Sequence, residues 1–342
     1  MKIIHIHFGK DGGAERFFTS LARAFHERGV EQKFFIRPDR VWKDDIAPCG
    51  EVFEGTFNRL SLYRFVLAAR LKRVAEEFQP DAIMAWAPRA SQLLPRKAPC
   101  VKITRLGDFP LRLRYFGNAD VIVGNTPDIV ERVKELGWEK PARTISNFTL
   151  VKPTKPIDRV ALATPSDAFV VVGLGRFVRR KGFHTLIDAV AKLPGVMLWL
   201  VGGGEEEGAL KEQAEKLGLS ERIRFAGWQA SPAPYLAAAD VFVMPSSHEP
   251  LGNVILEAWG ARKPVVSSRS EGPNWMMTEG DDGLLFDVGD ANGLAAAIAK
   301  IKSSPELAAR LVEGGQKTLG SRFSADGVTA AYAQLISEFR RN

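Results

Sequence analysis

Two glutamates stand eight positions apart in the stretch SSHEPLGNVILEAWG, residues 246–260. Glu249 precedes a predicted helix that begins near Gly252 or Asn253, and Glu257 falls one turn inside that helix. A helical side chain leans toward the N-terminus of its helix, so both carboxylates are expected at the same end. Carboxylates accept hydrogen bonds from hydroxyl groups, in which sugars and ribose are rich. Two acids at this distance could therefore hold two sugar rings of one ligand.

The backbone between these two acids offers hydrogen-bond donors. The N–H groups of residues 251–254 open the predicted helix, where they lack intrahelical acceptors and carry the positive end of the helix dipole. Such a terminus favours an anionic group such as a phosphate. His248 is a further candidate for lining the site. Without this context, Glu257 would be an ordinary helix acid.

A second set of residues, VVVGLGRFVRRKGF at 170–183, could bind a diphosphate. A predicted strand ends in a Gly-Leu-Gly turn, and Arg176 and Lys181 follow five residues apart. An arginine fork and a lysine point charge suit a diphosphate. The dinucleotide fingerprint fails because Val178 occupies its third glycine position, and the Walker pattern fails because no glycine precedes the lysine. The alternative is a solvated basic loop.

Two glycine-rich turns between a predicted strand and a predicted helix are candidates for a phosphate or nucleotide site. KDGGAERF contains Gly12 and Gly13, and VGGGEEEGAL contains Gly203. Glycine lets a ligand approach the backbone, and the helix that follows presents N–H groups. A purely structural turn would have the same composition.

Short apolar runs alternate with amphipathic stretches along the chain. Strands are predicted at 2–8, 32–36, 82–85, 100–104, 121–123, 169–174, 197–202, 223–225, 241–244 and 264–267, and helices at 14–28, 183–192, 206–217 and 253–260. This alternation predicts parallel sheets covered by helices on both faces.

The chain has 342 residues, enough for two domains of ~150 residues each. Prolines punctuate residues 148–167 and the apolar periodicity fades there, which predicts a linker. Two similar α/β halves would face each other across a cleft between the carboxyl ends of their sheets, where ligands of such sheets bind.

The composition, 45% hydrophobic and 25% charged, is ordinary for a globular protein and excludes disorder, collagen and coiled coil. No apolar run approaches the ~20 residues that span a bilayer. MKIIHIHFG is predicted to be a buried strand and not a signal peptide. Cys49 and Cys100 match no metal or redox spacing, so a reducing cytosol is expected.

The net charge of +7 lies in the first half of the chain. Residues 1–150 carry 25 lysines and arginines against 18 acids, whereas residues 151–342 carry 22 of each. A basic half indicates an anionic partner or a solvated basic surface. Nothing combines aromatic and basic residues in a known nucleic-acid module.

Two basic and aromatic stretches, RLSLYRFVLAARLKRV at 59–74 and LRLRYFG at 111–117, are candidates for meeting that partner. The hypothesis is docking on an anionic membrane face or on a phosphorylated lipid-linked glycan. An amphipathic helix with snorkelling arginines is the alternative. The candidate cations are Arg59, Arg64, Arg70, Lys72, Arg73, Arg112 and Arg114.

The motifs together resemble a known family. EPLG followed by EA, with Glu249 and Glu257, resembles the E-x7-E motif of retaining family 4 glycosyltransferases of the GT-B fold. GGAERF is similar to their N-terminal glycine loop and GLGRFVRRKG to their R-x4-K diphosphate site. VGGGEEEGAL, RFAGW and AADVFVMPSSHEP follow in the family's order and spacing. EGPNWMMTEGDDGLLFDVGD is similar to the segment after the motif, although Trp275 and Met276 depart from the usual acidic and aliphatic residues.

The resemblance covers nearly the whole chain and implies an α/β fold of two Rossmann-like domains. Residues 1–150 would bind the acceptor, 151–167 would link the domains, and 168–322 would bind the nucleotide-sugar. Residues 323–342 would form a helix that crosses back to the N-terminal domain.

The resemblance also implies a role for each motif residue. Glu249 would contact the hydroxyls of the donor sugar and Glu257 those of the ribose, while Arg176 and Lys181 would neutralise the diphosphate. The remaining donor-site residues would be Gly12, Gly13, Gly203, Trp228, His248, Leu251, Gly252 and Asn253.

The implied reaction moves a hexose-type sugar from a UDP- or GDP-sugar to a glycan or glycolipid, with retention of configuration and no metal or other cofactor. Lipopolysaccharide core or another bacterial surface glycan would be the product, made on the inner face of the cell membrane. Many relatives carry a donor-sugar histidine where this chain has ITRLGDFP; Asp108 or Arg105 would take part of that role.

Two other functions compete with this one. A dinucleotide-dependent oxidoreductase needs an intact glycine fingerprint and an acid at the end of the second strand, and both glycine turns fail that test. A sugar-binding module without catalysis is the other alternative. The presence of Arg176, Lys181, Glu249 and Glu257 favours the enzyme.

Overall fold

The computed structural model describes residues 1–10, 12–56, 63–150 and 154–339. The chain forms two compact units. The first unit combines Met1–Phe148 with Phe323–Asn342, and the second unit is Thr149–Arg322. The predicted linker segment, where it is described, therefore lies in the second unit; Arg159, for example, donates hydrogen bonds to the Ala238 carbonyl and the Asp240 carboxylate.

The first unit contains a parallel sheet of seven described strands in the order β3-β2-β1-β4-β5-β6-β7. Its strands are β1 (Lys2–His7), β2 (Glu31–Ile36), β3 (Gly50–Glu54), β4 (Ala82–Trp86), β5 (Val101–Leu106), β6 (Val121–Gly124) and β7 (Ala142–Thr144). Its helices are α1 (Gly13–His26), α2 (Lys43–Ile46), α3 (Tyr63–Phe78), α4 (Ala87–Ser91), α5 (Pro127–Glu135) and, from the end of the chain, α13 (Ala325–Glu338).

The second unit contains a parallel sheet of six described strands in the order β10-β9-β8-β11-β12-β13. Its strands are β8 (Phe169–Leu174), β9 (Val196–Val201), β10 (Ile223–Gly227), β11 (Val241–Met244), β12 (Val265–Ser268) and β13 (Leu284–Phe286). Its helices are α6 (Phe183–Ala191), α7 (Glu207–Lys216), α8 (Ala233–Ala238), α9 (Asn253–Gly260), α10 (Glu271–Met276), α11 (Ala291–Ser303) and α12 (Pro305–Arg322).

Both sheets follow the same winding, which confirms the predicted α/β class. Each starts with an inner strand, adds two strands on one side and then crosses to the other. The order therefore reverses between β1 and β4 in the first unit and between β8 and β11 in the second. Ligands of doubly wound sheets bind at the carboxyl ends of the strands at such a reversal.

The C-terminal helix α13 completes the core of the first unit. Val328, Tyr332 and Leu335 are buried in the same apolar cluster as α1 residues, and the Tyr332 and Phe25 rings lie 6.0 Å apart. An ion pair between Arg143 and Glu338 at 2.8 Å lies at the edge of this contact. The crossing of the last helix to the first unit agrees with the sequence prediction.

Candidate active site

An ion pair between Lys181 Nζ and Glu249 Oε2 stands at the carboxyl ends of β8 and β11. These two strands are neighbours at the point where the strand order reverses. The side chains are only 18% and 13% exposed, so water screens their attraction weakly. The structure thus joins two predicted site residues that lie 68 positions apart in sequence.

Gly182 allows the basic loop to reach β11. Its φ of 68° lies in the left-handed region, which glycine adopts without steric cost. A β-carbon at this position would overlap the carbonyl oxygen of Pro245. Beside it, the N–H of Ser247 donates to the carbonyl of Arg180 at 2.8 Å. The glycine and this hydrogen bond hold Lys181 against Glu249.

Glu271, which the sequence analysis missed, organises the segment that carries Glu249. Its Oε2 accepts the Glu249 N–H at 3.0 Å, and its Oε1 lies 2.7 Å from Nδ1 of His248. Burial acts to raise the pKa of this carboxyl, but hydrogen bonds from backbone N–H groups and from His248 outweigh it and lower the pKa. The sequence feature that could have identified Glu271 is its position as an acid just after the carboxyl end of β12, the strand beside β11.

Helix α9 presents its N-terminus at the same end of the sheet. Gly252 is its N-cap residue with a φ of 97°, where a β-carbon would press on Met244 at 3.1 Å. Asn253 and Glu257 lie four positions apart on α9 and therefore share a face. Both are half-buried, whereas Leu251 is buried. The predicted order of acid, glycine turn, helix start and second acid matches this geometry.

The two glycine turns of the second unit pack on each other through their backbones. The N–H of Phe177 donates to the carbonyl of Gly203 at 2.9 Å, and that of Gly175 to Val201 at 3.0 Å. Arg176 is exposed on this surface. Trp228, directly after β10, is 58% exposed. The predicted donor residues of the second unit thus all follow the carboxyl ends of β8, β9, β10 and β11.

The other predicted site residues belong to the first unit. Gly12 and Gly13 lie at the start of α1. Asp108 is exposed, and its Oδ1 accepts the N–H of Phe109 at 2.8 Å. Arg105, in contrast, is buried, with its guanidinium over the rings of Phe17 and Trp86.

Most of the cationic residues that are candidates for contacting the acceptor or a membrane lie on α3 or shortly before β6. Arg64, Arg70, Lys72, Arg73, Arg112 and Arg114 are exposed, and Arg59 lies outside the described residues. Two of them form exposed pairs along α3, Lys72 with Glu76 at 3.7 Å and Arg73 with Glu77 at 3.9 Å. Among the described helices, none combines the length and apolar character that crossing a bilayer requires.

Residues 154–318, which contain the Lys181–Glu249 pair, match the family of glycosyl transferases group 1. The chain is 56% identical to the lipopolysaccharide core biosynthesis glycosyltransferase LpsE of Rhizobium meliloti (strain 1021), over 98% of this chain and 99% of LpsE. The chain belongs to the glycosyl transferases group 1 family. This glycosyltransferase is also 51% identical to LpsD of the same organism, over 98% of both chains.

A solved structure agrees with the fold of this glycosyltransferase. HepE of Anabaena, solved in complex with UDP-glucose, superposes with a TM-score of 0.83 at 25% identity, over 99% of this chain and 100% of HepE. The predicted resemblance to GT-B glycosyltransferases is therefore confirmed.

Proposed function

We propose that this glycosyltransferase moves a hexose-type sugar, with retention of configuration, from a nucleotide-diphosphate sugar to a glycan or glycolipid of the lipopolysaccharide core. The observation that carries the proposal is the Lys181–Glu249 pair at the strand-order reversal, beside the start of α9. A cation for the diphosphate and an acid for the sugar stand together there. The similarity to LpsE and LpsD supports the acceptor class.

Charge development on the leaving group gives the cations their catalytic role. As the glycosidic bond breaks, the departing nucleotide diphosphate gains negative charge. Lys181 and Arg176, with the first-turn N–H groups of α9, would stabilise that charge more in the transition state than in the ground state. This chemistry needs no metal. The diphosphate would draw Lys181 away from Glu249, whose carboxylate would then accept hydroxyls of the donor sugar.

The remaining roles follow from position along the ligand. Glu257, four residues into α9, would accept the ribose hydroxyls, and Trp228 and Gly203 would line the nucleotide. Asp108 would take the part of the missing histidine, assisting the sugar during attack from the face that the diphosphate leaves. UDP is the favoured nucleotide, since HepE was solved with UDP-glucose.

A donor panel tests the proposal. UDP-, GDP- and ADP-sugars and NAD are offered to the protein, and binding and released nucleotide are measured. Glu257→Ala should weaken binding of the preferred donor about 10-fold or more, because a charged hydrogen bond contributes ~1.5–3 kcal/mol. Glu215→Ala, an exposed acid on α7, is the matched control. Binding of NAD alone would exclude the proposal, and donor binding without any transfer would leave a sugar-binding module.

Docking on an anionic membrane face is part of the proposal. Tyr63, Phe65 and Val66 are more than half exposed in the first turns of α3, interleaved with Arg64. Apolar and cationic side chains together suit an anionic bilayer surface. The protein should float with vesicles that contain anionic lipid, and Arg64→Glu should reduce flotation more than Arg132→Glu on α5. Equal flotation on neutral vesicles, or none, would exclude electrostatic docking.

A further inference from the structure

A cavity of about 380 Å³ opens at the carboxyl edge of the first sheet. It lies at the strand-order reversal between β1 and β4, the position that corresponds to the Lys181–Glu249 pair in the second sheet. Its volume falls within the ~300–1,000 Å³ typical of small-molecule sites. The polar side chains that line it are those of His7, Glu15, Arg89 and Arg105.

Two buried N–H groups at this cavity lack hydrogen-bond partners among the described residues. They are Nε2 of His7 and Nε of Arg105, in side chains of residues that are 3% and 2% exposed. The Gly9 N–H donates to Nδ1 of His7 at 3.0 Å, which places the ring proton on Nε2. The Oε1 atom of Glu15 lies 3.8 Å from Nε2 of His7, beyond hydrogen-bond reach. Buried donors of this kind normally have an acceptor, which a ligand would supply.

Two arginines and one carboxylate, that of Glu15, line the cavity, so cationic side chains outnumber the acidic one. Arg105 is fully buried, and its hydrogen bond to Asn147 goes to a neutral amide. Arg89 is exposed on α4. Burial and the cations Arg105 and Arg40, together with His5, lower the pKa of His7 to about 3, so its ring is a neutral donor.

The backbone around the cavity includes a strained residue, as is common at ligand sites. Ala87, directly after β4, has a φ of 66°, an unfavourable conformation for a residue with a β-carbon. Such strain persists where the surrounding structure fixes it, often at ligand sites. Ala87, Pro88 and Gly107 also line a second cavity of about 450 Å³. The two cavities therefore share a wall and offer space for more than one sugar ring.

We propose that this cavity binds an anionic group, phosphoryl or carboxyl, on a sugar of the acceptor glycan. Arg89 and Arg105 contact its oxygens, with Arg40 nearby, and the Nε2–H of His7 donates to it. Glu15 accepts hydroxyls of the same sugar. The proposal rests on the proposed glycosyltransferase function, since it assigns the substrate class of the acceptor site.

The test measures binding of glucose 6-phosphate, glucuronate and neutral glucose by calorimetry. UDP is present at saturation so that the diphosphate site is occupied. Both anionic probes should bind at least about 10-fold more tightly than glucose, as expected for one added charge-assisted hydrogen bond. Arg89→Ala should remove most of this preference. Arg96→Ala, an exposed arginine before β5 and away from both cavities, should keep it.

Equal binding of glucose and the anionic probes, or no binding of either anionic probe, would overturn the proposal. An equal loss in Arg89→Ala and Arg96→Ala would overturn it as well, because it would reflect general surface charge. The donor panel distinguishes the two claims. Failure of every nucleotide-sugar to bind excludes the proposed function, whereas donor binding without an anion preference excludes only the anionic acceptor.

Discussion

Single side chains at the two strand-order reversals form the proposed donor and acceptor sites. In the second unit, Lys181 and Glu249 form an ion pair. Removing one member of a weakly screened pair leaves the other charge poorly compensated. Glu271 holds the segment of Glu249 through two hydrogen bonds, so the acid is oriented before the donor arrives.

Lys181→Ala should lower turnover more than donor affinity. In the proposed mechanism, the lysine faces a charge that grows in the transition state, and loss of one such contact typically costs about 10²–10³-fold in kcat. The measurement is steady-state kinetics with the preferred donor. Lys300→Ala, an exposed lysine on α11, should retain normal kinetics. A rise in KM with unchanged kcat would instead assign Lys181 to ground-state binding.

The sequence predicted candidate donor-site residues but not the contacts between them. Lys181 and Glu249 were each recognisable from local motifs, but their direct pairing depends on Gly182 meeting Pro245 across two strands. No local pattern encodes that contact. His7 lies in a segment that the sequence predicted only as a buried strand, and the fold reveals that its Nε2 borders a cavity.

Loops that connect a strand to the following helix position the side chains of the proposed active site. Gly182→Ala should destabilise the protein and reduce activity, because the β-carbon would overlap the Pro245 carbonyl and move the lysine loop. Gly218→Ala is the matched control, since φ at Gly218 is 66° but nothing lies within 4 Å of an added β-carbon. The control should lower the free energy of unfolding only by the cost of placing an alanine in the left-handed region, ~1–2 kcal/mol.

Thermal unfolding and kinetics of both variants check this prediction. Gly182→Ala should lower the free energy of unfolding by about 1–3 kcal/mol more than the control does, as overpacking typically does. Its turnover rate should also fall. Equal stability and equal activity of the two variants would show that the close approach to Pro245 has no role in holding the loop.

The periodic strands and helices were predictable, and the short edge strands were not. The inner strands β8 and β9 are continuous apolar runs, as expected for strands buried on both faces. The missed strands were β3, β7 and β13. β7 and β13 stand at sheet edges and have three residues each. Three side chains are too few to show a hydrophobic periodicity.

The molecule contains two units of the same winding, each with a proposed site. The neutral second half carries most of the proposed donor-site residues, whereas the basic first half carries Gly12, Gly13 and the cavity whose buried N–H donors have no partner among the described residues. The last helix returns to the first unit, so the chain's two ends stabilise one core. In the proposed mechanism, each strand-order reversal binds one of the two substrates.

The stability of the molecule should fall as pH drops below 6.5. Burial lowers the pKa of both His5 and His7 from 6.5 to about 3. Between these values the unfolded chain binds protons that the folded chain does not, so the unfolding free energy decreases. Each histidine should contribute a slope of about 1.4 kcal/mol per pH unit below pH ~6.

Urea unfolding at pH 7, 6 and 5 measures this slope. His7→Asn should remove about half of the slope that His5 and His7 together contribute to the unfolding free energy against pH. Substitution of the exposed His26 by Asn should leave that slope unchanged. If both variants keep the slope of the natural chain, His7 is not buried as a neutral ring.

A crystal structure of the protein with its preferred nucleotide-sugar bound would test the proposed donor site most directly. The diphosphate should contact Lys181 and Arg176, Glu257 should accept the ribose hydroxyls, and Glu249 should turn from Lys181 to the sugar. A diphosphate bound away from Lys181 and Arg176 would contradict the proposed donor site.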